Sequence, residues 1–124
     1  MLNQEVNVIE DILSNLHNPV FSDVTIVATD GEIQANKVIL SMRSQYFLRM
    51  FSPNNNFVES QENSVKMPYS KAVLEKVVIY LYSGQMKYED MALRPLLDLL
   101  ELLNLMNLSS EFSSVEGYVL KNIR

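Results

Sequence analysis

The stretch GEIQANKVILSMRSQYFLRMF, residues 31–51, begins as half of a hairpin and ends as an aromatic helix. Just upstream, Val24, Ile26 and Ala28 alternate with Thr25, Val27 and Thr29, so residues 23–29 are expected to form a strand with one buried face and many β-branched residues. Asp30-Gly31 then predicts a tight turn with positive φ angles, and Glu32 to Ala35 returns as the second strand. Asn36 is placed to cap a short helix through Leu40. Ser44 is placed to cap another, on which Phe47, Met50 and Phe51 share a face. A strand that runs into two capped helical turns leaves no room for a glycine-rich ligand loop, and the three glycines of the chain stand singly.

Working outward, Ile9, Ile12, Leu13 and Leu16 put an apolar stripe on a first helix at about 4–17, which stops near Asn18-Pro19. Downstream, Ser52-Pro53-Asn54-Asn55-Asn56 is a polar loop. Val65 and Met67 alternate in a third short strand stopped by Pro68. Ser70 is placed to cap a helix over 71–82, with Val73, Leu74, Val77, Val78 and Leu81 on a broad apolar face and Gly84 as its C-terminal cap. Residues 96–108, LLDLLELLNLMNL, are too apolar for an ordinary surface helix and too short for a coiled-coil seam, so they predict a core helix. A terminal helix over about 110–123 carries Phe112, Val115 and Val119 on one face and is expected to be interrupted at Gly117. The order predicts an α+β fold, a cluster of helices packed around a small mixed three-stranded sheet, in a single domain over residues 1–124.

Composition narrows the chemistry. The chain has no cysteine and one histidine, His17, which leaves neither a disulfide framework nor a His/Cys metal centre. A net charge of -5 gives no cationic field for a nucleic-acid backbone. No run approaches the roughly 20 apolar residues of a membrane span, and the start lacks the basic-then-apolar order of a secretory leader, so an intracellular protein, in cytoplasm or nucleus, is expected. His17 beside Pro19 has no catalytic surroundings, and Asp98 and Glu101 read as a thin polar stripe on the leucine-rich helix. Neither catalysis nor a cofactor is expected.

Four blocks, in order, resemble the BTB (POZ) domain family: Phe21-Ser22-Asp23-Val24, then Ala35-Asn36-Lys37-Val38-Ile39-Leu40, then Ser44-Gln45-Tyr46-Phe47 with Met50-Phe51, and finally Tyr80-Leu81-Tyr82-Ser83-Gly84. The resemblance spans about residues 20–110 and implies a non-enzymatic interaction domain. It implies homodimerisation through the N-terminal helix, here Ile9, Ile12, Leu13 and Leu16. It also implies a family pocket at Asp23, Asn36 and Lys37, where Asn36 replaces the usual histidine and alters any charge pairing with Asp23. Phe57-Val58-Glu59 is similar to the hydrophobic-x-Glu loop of cullin-3 ubiquitin-ligase adaptors. That likeness makes Phe57 the anchor in a cullin-3 pocket, with Glu59 and Tyr46 beside it, and leaves the substrate to other domains of the parent protein. The loop before Phe57 is longer than the family's usual link. Two other readings share the fold, a dimeric repressor domain that recruits corepressor and a purely structural oligomerisation module.

Overall fold

The computed structural model describes residues 22–52 and 63–122. The expected helix at 4–17 with its apolar stripe, His17, and the loop carrying Phe57 and Glu59 lie outside the described residues.

Strand β1, Val24–Val27, pairs antiparallel with β2, Glu32–Ala35, with Val24 opposite Ala35 and Val27 opposite Glu32. The alternation expected of the first strand holds for Val24 and Ile26, although the strand ends at Val27 rather than at 29. Ile33 and Ala35 of β2 also point into the core, while Thr25 and Gln34 face each other on the outer side and bond through Oγ1 and Oε1 at 3.1 Å. The turn between the strands differs from the expectation. The Ala28 N–H bonds the Gly31 carbonyl at 2.8 Å, so Thr29 and Asp30 occupy the corner, and the only positive φ angles among the described residues are at Gly84 and Asn107. Asp30 and Gly31 instead serve the next layer. The Asp30 carboxylate accepts the Lys71 N–H at 2.7 Å, and a Cβ on Gly31 would lie 3.1 Å from the Lys71 side chain.

β3, Ser64–Lys66, runs parallel to β1 on its other edge, giving the order β2-β1-β3 and a mixed sheet. A parallel pair requires a crossover. That crossover contains helices α1, Lys37–Arg43, and α2, Gln45–Phe51. Both start where their caps predict: Asn36 Oδ1 accepts from the Ile39 N–H at 3.1 Å, and Ser44 Oγ accepts from the Phe47 N–H at 3.2 Å.

α3, Lys71–Ser83, starts at the Ser70 cap and ends at Gly84, whose φ of 79° is the left-handed conformation that a helix C-cap favours. Val73, Leu74, Val77, Val78, Leu81 and Tyr82 are all buried, so α3 is the spine of the core. The leucine-rich helix, α4, spans Leu93–Leu105, three residues earlier than expected at each end. Its excess leucines explain themselves: Leu96, Leu99, Leu102 and Leu103 are buried, while Leu93, Leu97 and Leu105 remain at the surface. Met106 to Leu108 turn the chain with Asn107 at φ 58°, a conformation asparagine tolerates. α5, Ser109–Asn122, then packs Val115 and Val119 inward. Gly117 does not interrupt this helix. It faces open space, and the hydrogen-bond ladder carries through it because a single glycine weakens a helix by only about 1 kcal/mol against alanine.

Candidate interaction surface

The surface is built around the junction of β2 and α1. The Asp23 carboxylate accepts the Lys37 backbone N–H at 2.8 Å, and the Asn36 backbone N–H is taken by the hydroxyl of Tyr82 on α3 at 2.8 Å. Asp23, Asn36 and Lys37 are therefore brought together, at the start of α1. The Lys37 ammonium reaches Asn63 Oδ1 at 3.4 Å and lies 5.4 Å from the centre of the Phe51 ring, which ties α1 to the end of α2. Tyr82 is nearly buried, and that burial pushes its hydroxyl above the ordinary tyrosine value, partly offset by the Asn36 N–H bond.

α2 is held as a rigid blade. Its cap, Ser44, is only 2 % exposed. Phe47 is buried, stacks on Phe51 with ring centres 5.7 Å apart, and meets the Tyr46 ring edge-on at 5.4 Å. Two open grooves flank it. The first, about 660 Å³, is lined by Tyr46, Arg49, Met50 and Gln45 of α2, by Arg43, and by the α4–α5 turn from Leu105 to Leu108. The second, about 560 Å³, lies between α1 and α2 and is lined by Lys37, Val38, Ser41, Met42, Gln45, Leu48 and Phe51. Val38, Met42 and Leu48 there are 62 %, 76 % and 45 % exposed, an apolar group on the outside of the molecule.

Of the residues singled out from sequence, Tyr46 is half-buried and lines the first groove. Asp98 and Glu101 do not act as a pair: Glu101 accepts the Tyr69 hydroxyl at 3.0 Å. Burial and that bond push Tyr69 up to about 12, and burial together with a bond to Glu111 does the same for Tyr80. These are clamps between layers. Sequence reasoning missed the α4–α5 turn and the outer group Val38, Met42 and Leu48. The signal for the latter was the spacing of Val38 and Met42, four residues apart on a face that Leu40 does not share. Among the described residues no group of acidic or histidine side chains could hold a metal ion, and no helix is long and apolar enough to cross a membrane.

Comparison with known proteins agrees with this geometry. The chain is 31% identical over 104 residues to Kelch repeat and BTB domain-containing protein A55 of vaccinia virus (strain Western Reserve), a match covering 83% of this chain and 18% of that protein. It is 42% identical over 65 residues to human Rho-related BTB domain-containing protein 2, covering 52% and 9%, and 30% identical over 93 residues to mouse Kelch-like protein 38, covering 71% and 16%. The chain thus spans less than a fifth of the length of these relatives. Among solved structures it resembles the BTB domain of zebrafish PATZ1 with a TM-score of 0.74 at 14% identity, covering 98% of this chain and 96% of that one, a likeness of fold. A family model for the BTB/POZ domain matches residues 13–115, and the chain belongs to this family of protein-interaction domains.

Proposed function

We propose that this domain homodimerises and recruits cullin-3, as the scaffold-binding part of a substrate adaptor of an intracellular ubiquitin ligase, and that it does no chemistry itself. The observation that carries the reading is the groove beside Tyr46. It is open, mostly apolar, and walled by α2, the helix from which the chain runs on toward Phe57-Val58-Glu59. An aromatic such as Phe57, followed by Glu59, has the residue chemistry of a binding hot spot, and Tyr46 lines the groove that would complete it.

For self-association the supporting feature is complementarity. Residues 1–21 carry Glu5, Glu10 and Asp11 with no lysine or arginine, beside the apolar Ile9, Ile12, Leu13 and Leu16. The groove between α1 and α2 is lined by Lys37 and no acid, beside the exposed Val38, Met42 and Leu48. An acidic apolar segment of one copy fits the basic apolar face of another. Asp23, Asn36 and Lys37 belong to this reading as the joint that sets α1 at its angle. The substrate falls to other domains of the parent, and Kelch repeats named in several relatives are of the right kind.

The test is titration calorimetry of the cullin-3 N-terminal domain into this protein and into Phe57→Ala, with light scattering on both. Submicromolar binding that the substitution weakens at least tenfold, about 1.4 kcal/mol, is the expected result. A folded dimer that gives no heat would move the function to corepressor recruitment or bare oligomerisation.

A further inference from the structure

The two grooves share one lining residue. At about 100° per residue, Tyr46, Arg49 and Met50 fall on one arc of α2 and Leu48 and Phe51 on another, and Gln45 sits at the boundary and lines both grooves. The backbone under Gln45 is fixed, because the preceding Ser44 is buried and caps the helix, while the Gln45 side chain itself is exposed. Its amide offers donors on one atom and an acceptor on the other, so one side chain can bond an occupant on each flank at once. Occupants of the two grooves are separated by little more than one helix, about 10 Å across.

We infer that dimerisation on the Met42 flank and partner binding on the Tyr46 flank are positively coupled through Gln45. This rests on the functional reading above, with a second copy on one flank and cullin-3 on the other. The sign follows from entropy. A long exposed glutamine loses rotamer freedom when it is first engaged, and whichever occupant arrives second meets a side chain already ordered. The apolar rims supply burial energy to each occupant separately, and Gln45 transmits the linkage.

The full chain tests this without dissection. Calorimetry gives the per-site affinity of the cullin-3 N-terminal domain for the wild type and for Met42→Glu, whose altered side chain is outside the core and outside the Tyr46 groove. A monomeric Met42→Glu protein should bind about fivefold more weakly, at the low end of usual coupling energies. Reciprocity then demands that saturating cullin-3 domain tighten the wild-type dimer by the square of that factor, about 25-fold, since each dimer carries two grooves. Sedimentation reads this on unmutated protein. Gln45→Ala should bring the ratio of dimer to monomer affinity to one. A monomer that binds as tightly as the dimer, or a Met42→Glu protein that stays dimeric, overturns the coupling while the adaptor reading stands. A wild type that neither dimerises nor binds takes both down.

Discussion

Replacing Tyr82 by phenylalanine isolates the bond that fixes the start of α1. Tyr82 is 8 % exposed, and its hydroxyl accepts the backbone N–H of Asn36 at 2.8 Å. Phenylalanine keeps the ring and its packing between α3 and the sheet, so the transfer of apolar surface is unchanged. What is lost is the hydrogen bond between the Asn36 N–H and the Tyr82 hydroxyl. Removing the acceptor of a buried donor costs about 1–3 kcal/mol, and because Asn36 is half-buried rather than enclosed, about 1–2 kcal/mol is the expected range. Urea denaturation should show that loss as a shifted midpoint with unchanged slope. In a domain of this size the melting temperature should fall by about 3–8 °C.

A second variant separates two roles of one residue. Asn36→Ala removes the side-chain cap on the Ile39 N–H and should cost about 1 kcal/mol, leaving the backbone bond to Tyr82 in place. If the Tyr82 bond holds Asn36 in the extended conformation that lets it cap, the double variant will cost less than the sum of the singles. A Tyr82→Phe protein within about 0.5 kcal/mol of the wild type, the usual span of a neutral surface change, would refute the reasoning. It would mean that water replaces the hydroxyl and that α1 is positioned by packing alone.

Gly117→Ala should raise stability by about 1 kcal/mol in the same assay, because the position is helical and a Cβ there meets nothing. Asn107→Gly should leave stability nearly unchanged, whereas Asn107→Val should cost about 2 kcal/mol, since φ 58° is costly for a β-branched residue. Tyrosinate absorbance should show Tyr69 and Tyr80 titrating near 12, among the last of the six tyrosines. The unfolded chain loses these protons near 10, so stability is unaffected below that pH and declines as pH rises from about 10 to about 12.

Local chemistry was legible where the residues that decide it are neighbours in the chain. Asn36, Ser44 and Ser70 cap the helices expected of them, and Gly84 closes α3, because a cap needs only a short polar side chain three residues from an N–H or a glycine that accepts positive φ. Alternation along the first strand put Val24 and Ile26 on its buried face for the same reason. Where the deciding contact lies far along the chain, local signals misled. Asp30-Gly31 has the composition of a left-handed hairpin turn, yet Lys71, forty residues on, claims the Asp30 carboxylate and the space beside Gly31. Gly117 looked like a break because propensity was weighed without the packing of Val115 and Val119 on either side of it.

The candidate surface shows the same division with a functional consequence. Tyr46 was visible as part of a block, but the groove it lines needs the α4–α5 turn, about sixty residues away, and that turn exists only because Asn107 adopts positive φ after α4 has stopped at Leu105. The apolar residues that matter for partners are those the core does not use. Leu40 and Phe47 are spent inward, and their neighbours Val38, Met42 and Leu48 are left outside. A seven-residue helix cannot bury every apolar side chain it carries, and burial of Val38, Met42 and Leu48 at about 25 cal/mol per Å² becomes available only when another chain covers them. The same α1–α2 pair thus serves the fold on one face and leaves binding energy on the other. That is how a small interaction domain carries a specific surface, and why charge on Met42 is expected to alter assembly without disturbing the core.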